Sequence, residues 1–202
     1  GITSQLNDVQ FINSTTGFIV GAGGKILKSV DGGNIWNAVT SGTVSSLNDV
    51  FFLDGTLGMV AGVGSSSSIL KTSDGGVTWM QKGPNVSLVL NAVVMKDQNL
   101  GWAVGTKGNI YHTEDGGNTW IKDSSNTTND LFDITLSPDG NNLFAVGGFG
   151  TILHLSLLPP QGCIAKFELQ YDTSNFQSIN FINQTQGTIA SYLWDFGNGA
   201  TS

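Results

Sequence analysis

The chain has 202 residues and a formal charge of −7; all eight of its cationic side chains are lysines, and charged residues make up only 11% of it. It therefore lacks the basic patch that nucleic-acid binding or anionic-membrane attachment needs. No apolar stretch approaches the roughly 20 residues of a membrane span, and the lone Cys163 can close no internal disulfide and carries no metal-ligand spacing.

The 28 glycines, with abundant Ser, Thr and Asn, predict a turn-rich all-β chain. In chain order, a first strand-like run, Leu6-Asn-Asp-Val-Gln-Phe-Ile, is followed by Gly17-Phe-Ile-Val-Gly, by residues 25–28, and by residues 36–39 beginning at Trp36. The same succession returns three times. Its opening runs start at Leu47, Leu90 and Leu131, in steps of 41, 43 and 41 residues. Second runs lie at 58–62, 101–105 and 143–147, third runs at 68–71, 109–112 and 151–154, and fourth runs at 79–81 and 120–122. Four short strands in about 42 residues predict the blade of a β-propeller. Near-continuous apolar runs in the inner strands predict sheets covered on both faces by neighbouring blades.

The predicted blades cover roughly 5–45, 46–88, 89–129 and 130–157, giving a propeller segment over 1–157. The fourth has three strands. A missing outer strand is what a ring leaves when the far N-terminus supplies it, since an uncovered edge invites aggregation. That, with a start at Gly1, predicts the C-terminal part of a larger propeller. Pro159-Pro160 cannot continue a central strand, so 158–162 reads as a linker. Two or three strand-like runs in 163–202 are too few to form a stable domain and read as the opening of a second one.

Between third and fourth strands stands Ser-Val-Asp-Gly-Gly-Asn-Ile-Trp at 29–36, repeated as Thr-Ser-Asp-Gly-Gly-Val-Thr-Trp at 72–79 and Thr-Glu-Asp-Gly-Gly-Asn-Thr-Trp at 113–120. These resemble Asp boxes, or BNR repeats. The whole unit is similar to the propeller repeats of photosystem II stability and assembly factors, a repeat type also found in bacterial secreted proteins. In the tail, Tyr192-Leu-Trp-Asp-Phe-Gly-Asn-Gly resembles the Trp-Asp-Phe-Gly-Asp-Gly motif of PKD domains, carried on Trp194, Asp195, Phe196, Gly197 and Gly199, with Asn198 in place of the usual Asp. That resemblance implies an incomplete Ig-like sandwich over 163–202 and a secreted or cell-surface bacterial setting.

The chemistry of these motifs points to architecture. Asp31, Asp74 and Asp115 are placed to accept backbone N–H bonds across a tight turn. Gly33, Gly76 and Gly117 supply backbone angles closed to other residues, and Trp36, Trp79 and Trp120 pack over the turn. One carboxylate per loop falls short of the six to eight oxygens calcium takes. No cofactor or metal is expected. The resemblance to BNR repeats raises sialidase activity, which calls for an arginine cluster this chain lacks. It also raises glycoside hydrolysis of the xyloglucanase type, by a carboxylate pair partly carried on other blades. Asp8, Asp49 and Asp133, however, recur near the starts of inner strands, and recurrence argues for a structural role. Client binding of the photosystem-assembly kind, which the resemblance associates with a basic surface, fits an acidic chain poorly. His112 and His154 recur on third strands without a catalytic or metal set. The blade-connecting loops 40–46, 82–87 and 123–129 and the turns between second and third strands fall on one face and vary where the strands do not. A non-catalytic binding or display module for a protein or glycan is the expected function.

Overall fold

A computed structural model describes residues 3–64, 68–84 and 86–158. The PKD-like motif Trp194–Gly199, Cys163 and most of the proposed linker lie outside these residues.

The described residues form fifteen strands in four successive units. Blade 1 is β1 (Leu6–Phe11), β2 (Gly17–Gly21), β3 (Lys25–Ser29) and β4 (Asn37–Val39). Blade 2 is β5 (Leu47–Phe52), β6 (Gly58–Gly64), β7 (Ile69–Thr72) and β8 (Met80–Gln81). Blade 3 is β9 (Leu88–Met95), β10 (Gly101–Gly105), β11 (Ile110–Thr113) and β12 (Ile121–Asp123). Blade 4 is β13 (Leu131–Leu136), β14 (Asn142–Gly147) and β15 (Ile152–Ser156). Within each blade consecutive strands pair antiparallel. The first strands β1, β5, β9 and β13 lie side by side, which makes them the inner strands of the propeller.

Two boundaries differ from the sequence expectation. Each fourth strand begins one residue after its tryptophan, because the indole belongs to the preceding turn. β6 runs on to Gly64 and β9 starts at Leu88, and these extensions pair with each other through Val63–Val89 and Gly64–Leu88. Blade 2 has a longer second-to-third-strand turn than its neighbours, so β6 continues past Gly62 and stitches blades 2 and 3 into one eight-stranded sheet.

Every inner strand carries a bulge after its opening leucine, as seen between Leu6 and Asp8, Leu47 and Asp49, and Leu131 and Asp133. The bulged backbone presses on a glycine of the second strand, the last residue of β2, β10 and β14 and Gly62 within β6. A Cβ on Gly21, Gly62, Gly105 or Gly147 would meet a carbonyl oxygen at 2.2, 2.5, 2.0 or 2.2 Å. The repeated Gly therefore belongs to the bulge, which in turn re-aims the side chain that follows the leucine. β7, β10 and β11 are buried at every position, as strands between two covered faces should be. Three apolar clusters fill the spaces between blades, around Phe18 and Phe52, around Met59 and Met95, and around Trp102 and Leu143.

Candidate functional site

The Asp box is built from its first hydroxyl upward. Thr72 O–H donates to Asp74 Oδ1 at 2.8 Å, and Thr72 Oγ1 accepts the Gly76 N–H at 2.9 Å. Asp74 Oδ1 also accepts from the N–H groups of Val77 and Thr78 at 3.0 and 2.9 Å, and Oδ2 from the Thr78 hydroxyl at 2.6 Å. Asp115 repeats the set with Thr113, Asn118 and Thr119. Asp31 makes a thinner version with Ser29 and Ile35. These bonds hold the Asp74 carboxyl well below the usual carboxylate range, the Thr78 hydroxyl first among them. Burial works to raise Asp115, yet the bonds from Thr119 and Thr113 bring it down to about 2. Each box is tied to the first hairpin of its own blade, through Gly32 N–H to Thr15 O, Gly75 N–H to Thr56 O and Gly116 N–H to Asn99 O. The indoles of Trp36 and Trp120 lie 3.6 Å from where a Cβ on Gly33 or Gly117 would stand.

The second glycine of the box has a partner in the preceding blade. A Cβ on Gly76 would stand 2.4 Å from Cε1 of Phe18 in blade 1, and one on Gly117 would stand 2.4 Å from Cε of Met59 in blade 2. Lys28 Nζ donates to Gly75 O at 2.8 Å, and Lys71 Nζ to Asn118 Oδ1 at 3.2 Å. Nearer the axis, the bulged Asn7, Asn48 and Asn91 donate to the carbonyls of Leu47, Leu90 and Leu131 in the next blade. Asp8 and Asp49 accept the Val50 and Val93 N–H groups of the next blade at 2.9 and 2.7 Å. Blade 3 carries Ala92 at that position, and the Ile134 N–H of blade 4 is met instead by its own neighbour Asp133.

The inner carboxylates and the histidines are thus engaged in packing. Burial pushes Asp49 up to about 8, against the Val93 N–H, with Asp8 hydrogen-bonded to it. His112 is buried, with Nδ1 2.8 Å from Asp123 Oδ1; burial raises Asp123 while the imidazole opposes that. His154 Nε2 lies 2.9 Å from Asn142 Oδ1, and its ring stacks on Phe144. Among the described residues no group of three or more His, Cys, Asp or Glu is placed to hold a metal ion.

The remaining chemistry lies on the loop face, formed by the second-to-third-strand turns and the blade-connecting loops. Three of the turns are single 3-10 turns, Ala22–Gly24, Thr106–Gly108 and Gly148–Gly150. They seat against the connecting loops, where a Cβ on Gly24 or Gly108 would meet the carbonyl of Thr43 or Thr127 at 2.0 Å. The middle residue of each turn is left-handed: Gly23 at φ 70°, Lys107 at 59° and Phe149 at 56°. Phe149 is 98% exposed in that conformation, and Val44, in the loop after blade 1, is 89% exposed. Sequence reading passed over Phe149. Aligning the three matching turns would have found it, as the one bulky apolar residue where its counterparts are Gly and Lys.

A sequence profile for the family described as photosynthesis system II assembly factor YCF48 matches residues 34–126. The solved structure of YCF48 bound to D1 peptide superposes with a TM-score of 0.60 at 24% identity, over 75% of this chain and 50% of that one. The GH74 enzyme of Niastella koreensis superposes with a TM-score of 0.62 at 19% identity, over 75% of this chain and 28% of that one. The pre-pro-metalloprotease PrtV of Vibrio cholerae is 49% identical over 39 residues, 19% of this chain and 4% of PrtV. The chain therefore spans half or less of each of these proteins. Its repeats are of the YCF48-like BNR type, and they build a β-propeller.

Proposed function

We propose that the chain is a non-catalytic binding module that uses its loop face to hold a protein segment. Phe149 carries this reading. A bulky side chain in the left-handed region costs of order 1 kcal/mol or more, and full exposure of a phenyl ring returns nothing to folding. A rigid exposed aromatic is the kind of anchor that dominates protein contacts. The YCF48 chain of the same fold was solved with a peptide bound, which favours a peptide over a glycan as the ligand class here. The PKD-like motif at Trp194–Gly199 supports a secreted or cell-surface bacterial protein as the carrier.

Selection of peptides from a random display library, alongside a glycan array, tests the reading. Selected peptides should lose at least roughly tenfold in affinity with Phe149→Ser, a change that leaves the fold in place. Undiminished affinity of every selected ligand for Phe149→Ser would refute the site.

A hydrolase reading has one feature in its favour, the carboxyl of Asp49, raised by burial and set beside Asp8. Both carboxyls nevertheless accept a backbone N–H from the next blade, which is a packing role. Hydrolysis of a polysaccharide panel by the complete protein, abolished by Asp49→Asn, would reverse this preference.

A further inference from the structure

A second departure from the repeat stands beside Phe149. In all four blades the carbonyl of the residue ahead of the opening leucine meets the glycine of the second strand. That backbone role recurs, but the side chains at the position do not: they are Gln5, Ser46, Val89 and Asp130. Only blade 4 carries an ionisable group there, and Asp130 is exposed. Its carbonyl accepts the N–H of Gly148, one residue ahead of Phe149, at 2.8 Å, and its Oδ1 accepts the Lys107 N–H at 2.8 Å. Asp130 is thus held between the left-handed turn tips of blades 3 and 4. Its carboxyl is oriented before any ligand arrives, so little side-chain freedom remains to be lost on binding. Among the described residues the ion pairs are those of His112, which leaves Asp130 without a cationic partner.

We infer, resting on the loop-face reading of Phe149, that the protein segment held there is a basic one: a lysine or arginine pairs with Asp130, and an apolar residue next to it lies on Phe149. A fixed carboxyl beside an exposed phenyl ring fits a cation flanked by apolar surface, because the ring takes the apolar contact and its face also attracts the cationic head. The formal charge of −7 draws such segments in and repels acidic ones. Lys107 is the opposite charge nearby, but it meets Asp130 through its backbone N–H. Its ammonium stands on a flexible four-carbon stem, which makes it the costlier anchor of the two.

The test takes the peptides that the whole chain selects from a random display library and measures their affinity for the parent, Phe149→Ser, Asp130→Asn and Asp139→Asn. Asn at 130 keeps an acceptor for the Lys107 N–H and removes the charge. Asp139 lies in the hairpin between β13 and β14, at the opposite end of blade 4, so its replacement makes the same change in net charge away from the loop face. Peptides weakened by Phe149→Ser should be enriched in Lys or Arg next to an apolar residue, relative to the unselected library. They should lose about tenfold or more with Asp130→Asn at low salt, less at about 0.5 M salt, and little with Asp139→Asn. Changing the peptide's own cation to Gln should abolish the effect of Asp130→Asn. An Asp130→Asn loss that survives that change would be one of turn shape and would overturn the pairing. Equal losses with Asp130→Asn and Asp139→Asn would reduce it to overall charge and overturn it too. Peptides weakened by Phe149→Ser yet indifferent to Asp130→Asn would overturn the basic ligand and leave the loop face as the site. A selection with no peptide weakened by Phe149→Ser would overturn both.

Discussion

Phe18 of blade 1 lies against Gly76 of blade 2, so close that a Cβ on that glycine would stand 2.4 Å from the ring. The second glycine of the Asp box is therefore fixed twice, by its own left-handed backbone at φ 73° and by a ring from another repeat. Gly23 shares the backbone conformation, at φ 70°, but has nothing within 4 Å of a built Cβ. Gly23→Ala should cost about 1 to 2 kcal/mol, the price of a left-handed L-residue. Gly76→Ala should cost about 2 to 5 kcal/mol, because overpacking of about 1 to 3 kcal/mol is added. Urea unfolding of both variants checks this. Equal losses would mean that Phe18 swings away freely and the contact contributes little.

The Asp74 carboxyl is held below its ordinary range by the Thr78 hydroxyl and by backbone N–H groups. A carboxyl depressed on folding adds stability above its unfolded pKa, near 3.9. That stability is lost as the pH falls through this value toward the folded one. Asp74→Asn should therefore be less stable than the parent at pH 6, and the gap should narrow by pH 2.5. Asn keeps an acceptor for the turn N–H groups and loses the charge and the second acceptor oxygen. A gap that stays constant between the two pH values would assign the stabilisation to shape and not to ionisation.

The blade rhythm was legible because strand, bulge and box all leave compositional marks. The leucines at 6, 47, 90 and 131 and the three Asp-Gly-Gly turns locate every blade. The pairing of the extended β6 with β9 left no such mark, since a longer turn after β6 does not by itself say which strand of the next blade its extra residues will meet. The partners of the box were equally hidden. Gly76 and Phe18 are 58 residues apart in the chain, and only stacking of consecutive repeats brings them together. Recurrence did flag Asp8 and Asp49, but the Val50 and Val93 N–H groups that they accept belong to the following repeat. Within a repeat, then, the sequence speaks for itself. Between repeats it speaks only once the stacking direction is known.

Asp49 behaves in the opposite sense to Asp74. Burial raises it to about 8, so the folded chain holds a proton that the unfolded chain releases above about pH 4. Stability should fall as the pH rises through this window, by at most about 1.4 kcal/mol per pH unit for one group. Asp49→Asn retains an acceptor for the Val93 N–H and removes the titration. Its unfolding free energy should be flatter than the parent's between pH 5 and 8 and should exceed it at pH 8. Parallel curves would place the proton on another group.

Phe149 offers a stability gain that binding would have to forgo. Its φ of 56° suits glycine, and its ring is fully exposed, so replacement removes strain without opening a cavity. Phe149→Gly should hold or raise thermal stability, with about 1 kcal/mol of relieved backbone strain offset in part by the greater freedom of glycine in the unfolded chain. Lys107→Gly, at the matching turn of blade 3, should behave alike, because Lys107 has φ 59°. The two substitutions should part company in binding: only the first should weaken peptides selected on the loop face. Such stability-neutral loss of affinity is what separates an anchor from a strained residue that packing happens to tolerate. If Phe149→Gly lowers the melting temperature by several degrees, the ring is packed against part of the protein, and its place on the loop face is structural.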